Sequence, residues 1–142
     1  MSDVKGADRL LRRFQKMASP QMKEAVRSAL YTGGSLVQSE AQGLITAGSS
    51  SGRKTKKHRH IASAPGEPPN NDTGMLLRGI IVEQAKDDPL AVDVKSTAPY
   101  SAALEFGTSK MAERPFMRPA AAATKDKVAK LVSLAVSREM EK

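Results

Sequence analysis

The sequence predicts an α+β fold with long N-terminal helices, a small antiparallel sheet built on a hairpin, and a C-terminal amphipathic helix. Apolar residues recur at spacings of three and four in residues 7–45 and again after Pro119. Residues 80–96 instead contain a β-rich run, a turn and a stretch that alternates with period two. Because no βαβ unit is repeated, we do not expect a doubly wound parallel sheet.

Two helices are predicted before residue 48. The first carries an apolar stripe formed by Ala7, Leu10, Leu11, Phe14 and Met17. Ser19-Pro20 predicts the start of the second, because serine caps free amides and proline suits the first helical turn. The second helix is expected to end near Ala47-Gly48. Gly33-Gly34 in its middle costs about 1 kcal/mol per glycine relative to alanine, which indicates a kink or the close approach of another backbone.

Residues 48–73 are predicted to form a long, flexible, basic and proline-rich loop that is mobile in the free subunit. Small polar residues, cations and prolines leave little to bury, whereas ordering each residue costs about 1–2 kcal/mol. A loop of this length indicates either function or disorder. We expect residues 1–142 to form one domain that contains this loop.

The second half of the chain predicts short elements. Asp72-Thr73 is expected to cap a helical turn over 75–77. Strands are expected at 80–82 and 90–96, joined by a turn at 85–89.

Two helices complete the predicted fold. A short helix over 99–106 is expected to end at Gly107, which should adopt a positive φ. The last helix is expected to open at Pro119, and its apolar stripe comprises Val128, Leu131, Val132, Ala135 and Val136.

Composition excludes several classes of protein. The chain has 142 residues, a mass of 15.2 kDa, no cysteine and a net charge of +8 with a pI near 9.9. Without cysteine there is no disulfide framework, no thiol nucleophile and no cysteine-ligated metal. The sequence contains no run of about 18 apolar residues, so it predicts no membrane-spanning helix. The N-terminal residues lack the apolar core of a secretory signal, so we expect synthesis in the cytoplasm.

A basic run in the long loop is a candidate binding site for a polyanion. Its five cations are Arg53, Lys54, Lys56, Lys57 and Arg59. Clustered cations bind the nucleic-acid backbone by releasing counterions. The alternatives are a solvated loop or a contact with an acidic neighbouring subunit. The adjacent His58 and His60 do not predict a metal site, because neighbouring cations repel a metal ion.

No catalytic constellation is predicted. No G-x-S-x-G motif lies on a predicted strand-to-helix elbow, the Gly-Ser-Ser-Ser-Gly run at 48–52 lacks the Lys-Ser/Thr ending of a P-loop, and both histidines lie in the predicted loop. Glu67 and Glu105 have no evident carboxylate partner for acid–base catalysis. We therefore do not expect an enzyme.

Two prolines stiffen the segment before the last helix. Pro115 and Pro119 push Arg114 and Arg118 towards extended conformations. One interpretation is a rigid elbow that directs Phe116 into the core. The other is an interface wedge in which the two arginines bind a neighbouring subunit. The residues leave both interpretations open.

Three blocks of sequence, in order, resemble the signature of a family of bacteriophage tail-component proteins. They are Ser63-Ala-Pro-Gly-Glu-Pro-Pro69 with Asp72-Thr-Gly74 and Leu77-Arg78; Tyr100 with Leu104-Glu-Phe-Gly-Thr108; and Arg114-Pro-Phe-Met-Arg-Pro119. The resemblance extends from about Pro20 to the C-terminus. The family occurs in long-tailed phages and prophages and is similar in role to the minor tail protein Z of lambdoid phages.

The resemblance implies a structural role with no reaction catalysed and no cofactor. Family members are neck, connector or tail-completion proteins at the junction of head and tail, where subunits form a ring around the DNA channel. It implies location in the virion after assembly in the host cytoplasm, six copies by tail symmetry, and contacts with head-completion, connector and tail proteins but no membrane. The basic run would then contact genome DNA or an acidic neighbour. The alternative function is a small, basic, non-sequence-specific DNA-binding protein.

The motif residues are the candidates for the subunit interface. They are Pro65, Gly66, Glu67, Pro68, Pro69, Asp72, Thr73, Gly74, Tyr100, Glu105, Phe106, Gly107, Thr108, Arg114, Pro115, Phe116, Arg118 and Pro119. Glu105 is expected to accept hydrogen bonds from Arg114 or Arg118, within or between subunits.

Overall fold

The computed structural model describes residues 2–49, 52–54 and 61–142, and these confirm the α+β class. The elements in chain order are α1 (Ser2–Met17), α2 (Pro20–Ala47), β1 (Arg53–Lys54), β2 (Ile61–Ala62), α3 (Met75–Arg78), β3 (Ile80–Gln84), β4 (Val92–Ser96), α4 (Ser101–Phe106) and α5 (Met117–Glu141).

The start of α2 matches its prediction. The Ser19 hydroxyl accepts a hydrogen bond from the amide of Met22 at 3.1 Å, and Pro20 occupies the first helical position. Such a cap contributes about 1 kcal/mol, because it satisfies an amide that has no partner within the helix. The helix ends at Ala47, and Gly48 follows with a φ of 64°.

The long helices α2 and α5 pack in an antiparallel pair. The start of α2 shares a cleft with the end of α5, where Ala25 and Ala29 lie near Leu131 and Arg138. The other end of the pair contains the core, which comprises Ala41, Ile45, Leu76, Ile80, Ala98, Phe116 and Ala120. The core is therefore mostly aliphatic, and it lies near the end of α2 and the start of α5.

The predicted hairpin is present and lies against α2. Strands β3 and β4 are antiparallel, with Ile80 paired to Ser96 and Gln84 paired to Val92. The amide side chain of Gln38 donates to the carbonyl of Ile80 at 2.6 Å, and that of Gln42 donates to the carbonyl of Leu77 at 3.1 Å. These bonds satisfy one backbone carbonyl of β3 and one of α3, and they hold both elements against α2.

Gly33 and Gly34 permit close packing, but against side chains rather than the backbone that we expected. A Cβ atom on Gly33 would lie 2.8 Å from a methyl carbon of Val128 in α5. A Cβ atom on Gly34 would lie 2.8 Å from Val82 Cγ1 and 3.2 Å from Val92 Cγ1 in the hairpin. The pair therefore lets α5 and the hairpin approach α2 on adjacent faces.

Substitution of Gly34 tests this packing. We expect Gly34→Ala to lower the free energy of unfolding by about 1–2 kcal/mol, because the stiff valines cannot yield to the added carbon. Gly43→Ala in the same helix is the matched control, since no atom lies within 4 Å of its Cβ position. It should gain about 0.5–1 kcal/mol from helix propensity. Urea titration of both variants measures the difference, and equal gains would contradict the packing role.

Several boundaries differ from the predictions: β3 ends at Gln84 rather than at residue 82, β4 begins at Val92 rather than at residue 90, and α4 begins at Ser101 rather than at residue 99. Helix α3 is capped by Gly74 in the left-handed region rather than by Asp72-Thr73, although the Thr73 hydroxyl accepts a long 3.4 Å bond from the amide of Met75. Helix α5 begins at Met117 rather than at Pro119. Pro119 is tolerated inside the first turn because that amide position needs no partner within the helix.

The described parts of the predicted loop form a short strand pair and several hydrogen bonds. The two-residue strands β1 and β2 pair antiparallel. The Ser49 hydroxyl accepts a hydrogen bond from the amide of Ala64 at 2.9 Å and donates to Glu67. Pro69 is buried. The side chains of the basic run, Arg53, Lys54, Lys56, Lys57 and Arg59, lie outside the described residues.

Candidate functional site

The three sequence blocks meet at the end of the molecule where α2 ends and α5 begins. We call this region, residues 62–78 and 98–119, the motif pole. The amide of Gly66 donates to the carbonyl of Glu113 at 2.9 Å, and Arg114 Nε donates to the carbonyl of Ser63 at 3.1 Å. These bonds connect the first block to the third, and Glu105 connects the second block to the third.

Glu105 caps helix α5 from a distance in sequence. Its side chain is only 7% exposed. One carboxylate oxygen accepts from the amides of Phe116 at 2.8 Å and Met117 at 3.0 Å, and the other accepts from the amide of Arg118 at 2.8 Å. A carboxylate at this position also opposes the positive end of the helix dipole. The Glu105 side chain therefore replaces the side chain of an N-cap residue, since Phe116 stands at the N-cap position and has no side-chain hydrogen-bond acceptor.

With this cap, the first amides of α5 are accounted for. Three donate to Glu105, Pro119 has no amide hydrogen, and Ala120 donates to the carbonyl of Phe116 at 3.3 Å. Unpartnered buried amides are costly, so the arrangement fixes where α5 begins. The Arg-Pro-Phe-Met-Arg-Pro block is thus largely explained by the requirements of a helix N-terminus.

Arg118, and not Arg114, pairs with Glu105. Arg118 Nε lies 3.1 Å from Glu105 Oε1, and its terminal nitrogen donates to the carbonyl of Glu105 and to Glu113 Oε2, each at 2.7 Å. The bonds to Glu113 and Glu105 raise the pKa of Arg118. Its guanidinium also lies 5.2 Å from the ring centre of Phe106. The pairing is within one chain, and Arg114 binds the first block instead.

The electrostatics of Glu105 favour its charged form. Burial raises the pKa of its carboxyl, but hydrogen bonds from the amides of Phe116, Arg118 and Met117 and from the Arg118 side chain together outweigh burial. The pKa of Glu105 is therefore lowered from its ordinary value of 4.5.

This lowered pKa predicts acid sensitivity. Between the folded and unfolded pKa values the unfolded chain binds the proton more readily, so stability rises with pH. The contribution of Glu105 is fully present above about pH 4.5 and is lost as the pH falls through its lower folded-state pKa. We expect urea midpoints of the wild type to fall below pH 4.5 more steeply than those of Glu105→Gln. Parallel pH profiles of the two proteins would contradict this. Because both proteins contain the same other carboxyl groups, the difference between their profiles reports the titration of Glu105.

A cavity of about 490 Å³ opens on the motif pole. Residues of all three blocks and of the segments beside them line it, including Pro69, Leu76, Leu104, Met111 and Arg114. We call this cavity with its rim the motif groove. Met75 and Tyr100 line it with 51% and 42% of their surfaces exposed. An apolar cavity of this size suits the binding of side chains or a small ligand.

The candidate residues differ in how they can act. Glu105, Phe116 and Pro69 are buried, so within one chain they support the surface and do not form it. The exposed candidates are Pro65, Gly66, Asp72, Thr73, Tyr100, Phe106, Thr108 and Arg118, and the half-buried ones are Glu67, Pro68, Gly74, Gly107, Arg114, Pro115 and Pro119. Sequence reasoning missed Met75 and Met111, because a lone methionine gives no signal of its position on a groove.

Gly107 has the positive φ that we predicted, with a value of 73°. A Cβ atom there would lie 2.9 Å from both the amide nitrogen of Glu113 and the carbonyl oxygen of Met111. Because both are backbone atoms, relief would require the chain after α4 to move. Gly107 therefore holds the second block against the segment that leads into α5.

Substitution of Gly107 by alanine should lower the free energy of unfolding by about 2–3 kcal/mol, since strain and overlap act together. Gly66→Ala is the matched control, because Gly66 has a φ of 79° but no atom within 4 Å of its Cβ position. Its free energy of unfolding should fall by only about 1 kcal/mol, which is the cost of the left-handed conformation for alanine. Equal losses in thermal or urea unfolding would show that the contact contributes nothing.

Other kinds of site are not found in the part of the chain that the structure describes. Among the described residues, no three histidine, cysteine, aspartate or glutamate side chains lie close enough together to hold a metal ion. No helix among residues 2–49 and 61–142 combines the length and apolar character that crossing a membrane requires.

The sequence matches the model of the family described as "Bacteriophage HK97-gp10, putative tail-component" over residues 8–107. The match begins earlier than the resemblance that we noted. It includes the first block of the motif pole and the second block as far as Gly107, and it ends before the third. No curated protein and no solved structure matches the chain. Because the matched range covers well over half of the chain, the protein belongs to this family of phage tail components.

Proposed function

We propose that the protein is a structural subunit of the phage head–tail junction, either a neck protein or a tail-completion connector. In this role it supports the joining of head to tail and the passage of DNA, without catalysing a reaction. It works in the virion and assembles in the host cytoplasm. Membership of a tail-component family supports the general role.

The observation that carries the proposal is the construction of the motif pole. The buried carboxylate of Glu105 holds together a surface whose exposed side chains include Met75, Tyr100 and Phe106. Large exposed apolar side chains around a groove mark protein–protein interaction sites. The buried carboxylate is engaged by a helix N-terminus and by the Arg118 guanidinium, which hold it in its charged form, whereas an acid–base site requires a carboxyl group that can transfer a proton.

A ring is the assembly that the proposal favours. Its partners are further copies of the chain, head-completion or connector proteins, and tail proteins. A ring requires an interface between two different surfaces of the same chain, whose repeated rotation closes. Tail symmetry makes six copies the expected number. Ring formation is measured by sedimentation velocity and by negative-stain images of the purified chain.

Deletion of the gene in its phage tests the proposed role. We expect filled heads and separate tails that fail to join, and rescue when the wild-type gene is supplied in trans. Complementation with Gly43→Ala, at an exposed position of α2 with no atom within 4 Å of its Cβ position, is the control for expression level. Normal particles in the deletion strain would overturn the proposal.

The second candidate is non-sequence-specific DNA binding, and the net charge of +8 favours it. Basic proteins of this kind bind duplex DNA with affinity that falls steeply with salt, by about one log unit per log unit of salt for each phosphate neutralised. If the purified chain stays monomeric and binds duplex DNA with this dependence, the second candidate replaces the first.

A further inference from the structure

We propose that the cleft between α1 and the end of α5 binds the phosphate backbone of duplex DNA. The proposal rests on the proposed function and deepens it, because it identifies the surface with which a subunit of the head–tail junction holds the passing DNA. We call this cleft the basic cleft. None of its described lining residues belongs to the motif pole or to the basic run at 53–59.

The basic cleft has a volume of about 770 Å³ and carries a strong positive charge. Its acidic lining residues are Asp8 and Glu141, so with the five cations of α1 its net charge is +3. A cleft lined by one sign of charge concentrates the field of its side chains and attracts ions of the opposite sign. The five cations are Lys5, Arg9, Arg12, Arg13 and Lys16.

Four of these cations have no anionic partner in the part of the chain that the structure describes. Lys5, Arg9, Arg12 and Arg13 are exposed, and the ion pairs among the described residues include none of them. The fifth, Lys16, donates through Nζ to the carbonyl of Met140 at 2.9 Å, which does not neutralise its charge. The charge of the cleft is therefore available to a ligand.

The cations also repel one another along α1. They are spaced by three and four residues, so neighbouring members of the row lie next to each other on one side of the helix. Like charges at these spacings destabilise a helix. A bound polyanion removes this repulsion, so we expect its binding to stabilise α1 as well.

The length of the row matches a run of phosphates. Lys5 and Lys16 are 11 positions apart in α1, which corresponds to about 16 Å along the helix axis. One strand of a DNA duplex has a phosphate about every 3.4 Å along its axis, so the row spans about five phosphates. Three of the five cations are arginines, whose guanidinium groups bind phosphate oxygens through paired hydrogen bonds.

The lining favours a duplex over a single strand and over a membrane. No described lining residue is aromatic, so the cleft offers no surface for the stacking of unpaired bases. A membrane would receive the apolar side of α1, where Leu10 and Phe14 are exposed. That side lies away from the cleft, because neither residue lines it. A membrane on this side would leave the cations behind the helix.

Fluorescence anisotropy of a labelled duplex tests the site in the full chain. We expect Arg9→Gln with Arg12→Gln to weaken binding to a duplex of about 20 base pairs at least about tenfold at about 50 mM salt. The slope of log affinity against log salt should fall by about 2, because two fewer phosphates are neutralised. Arg9→Lys with Arg12→Lys keeps the charge and should keep the slope.

Two further double variants are matched controls. Lys127→Gln with Lys130→Gln removes the same charge from exposed positions of α5 outside the cleft and should leave the slope unchanged. An equal fall for this control would show that only net charge matters, which overturns the proposal. A fall for Lys56→Gln with Lys57→Gln, but not for the α1 variant, would assign the contact to the basic run instead. Circular dichroism confirms that each variant is folded.

Three other results would also overturn the proposal. They are no binding to the duplex at about 50 mM salt, equally strong competition by poly-glutamate, and α1-dependent binding to vesicles of anionic phospholipid in place of the duplex. The first result shows that the cleft does not bind DNA, the second that any polyanion suffices, and the third that α1 binds lipid.

Failure of the site and failure of the proposed function are distinguishable. If the α1 variant keeps the wild-type slope but deletion of the gene still blocks head–tail joining, this site fails while the proposed function stands. If deletion leaves joining intact, the proposed function fails whatever the cleft binds. If the chain binds the duplex through the cleft but stays monomeric, the site stands and the second candidate function replaces the first.

Discussion

Replacement of Glu105 by glutamine is expected to lower the free energy of unfolding by about 3–5 kcal/mol. The carboxylate accepts three backbone amides and the Arg118 side chain. Glutamine has the same shape but offers only one oxygen, and its amide nitrogen would face amide donors. At least one buried donor would lose its acceptor. The negative charge that balances the positive end of the helix dipole and the Arg118 guanidinium would also be lost. Urea unfolding at neutral pH measures the loss.

Glu113→Gln is the matched control for this substitution. Glu113 also binds the Arg118 side chain, at 2.7 Å, but half of the Glu113 side chain is exposed, and the first backbone amides of α5 donate to Glu105 and not to Glu113. Exposed ion pairs contribute only about 0–1 kcal/mol, so this variant should be close to wild type. If the two variants lose equal stability, the ion pair rather than the helix cap is the important contact.

Local patterns predicted local structure well in this chain. The Ser19-Pro20 cap, the hairpin and the positive φ of Gly107 each depend on residues within a few positions, and the structure confirms them. The cap of α5 could not be predicted in this way. Glu105 reaches amides 11 to 13 residues further along the chain, and only the tertiary fold brings them together. The expectation that Glu105 accepts hydrogen bonds from Arg114 or Arg118 is met by Arg118.

The same limit explains what was missed at the surface. The spacing of Leu10, Leu11, Phe14 and Met17 predicts an amphipathic helix but does not say which of its faces packs against the rest of the chain. In the structure these apolar side chains are exposed, and the basic side of α1 lies beside the end of α5. Likewise, the motif groove combines residues from 62–76 and 100–114 that have no common pattern. The two interpretations of the Arg114–Arg118 segment were left open for the same reason, and the burial of Phe116 distinguishes them.

Phe116 is fully buried in the core together with Ile45 and Ile80. This position agrees with the interpretation of its segment as a rigid elbow. Phe116→Ala should lower the free energy of unfolding by about 3–5 kcal/mol, through lost burial and the cavity that remains. Calorimetry or urea unfolding measures the loss, and Phe116→Leu should recover most of it because much of the volume is kept. A small loss for the alanine variant would mean that the core collapses around the site.

Phe106 provides the contrast that separates folding from assembly. It is 69% exposed, and its ring contacts the guanidinium of Arg118. Such a contact at an exposed site contributes about 0.5–1 kcal/mol, so Phe106→Ala should fold almost as stably as the wild type. If the motif pole is an interface, this variant should nevertheless assemble poorly in sedimentation velocity. Phe116→Ala, studied below its melting temperature, should assemble in proportion to its folded fraction, because its side chain cannot touch a neighbouring subunit. Normal assembly of Phe106→Ala would remove Phe106 from the interface without affecting the assignment of Phe116 to the core.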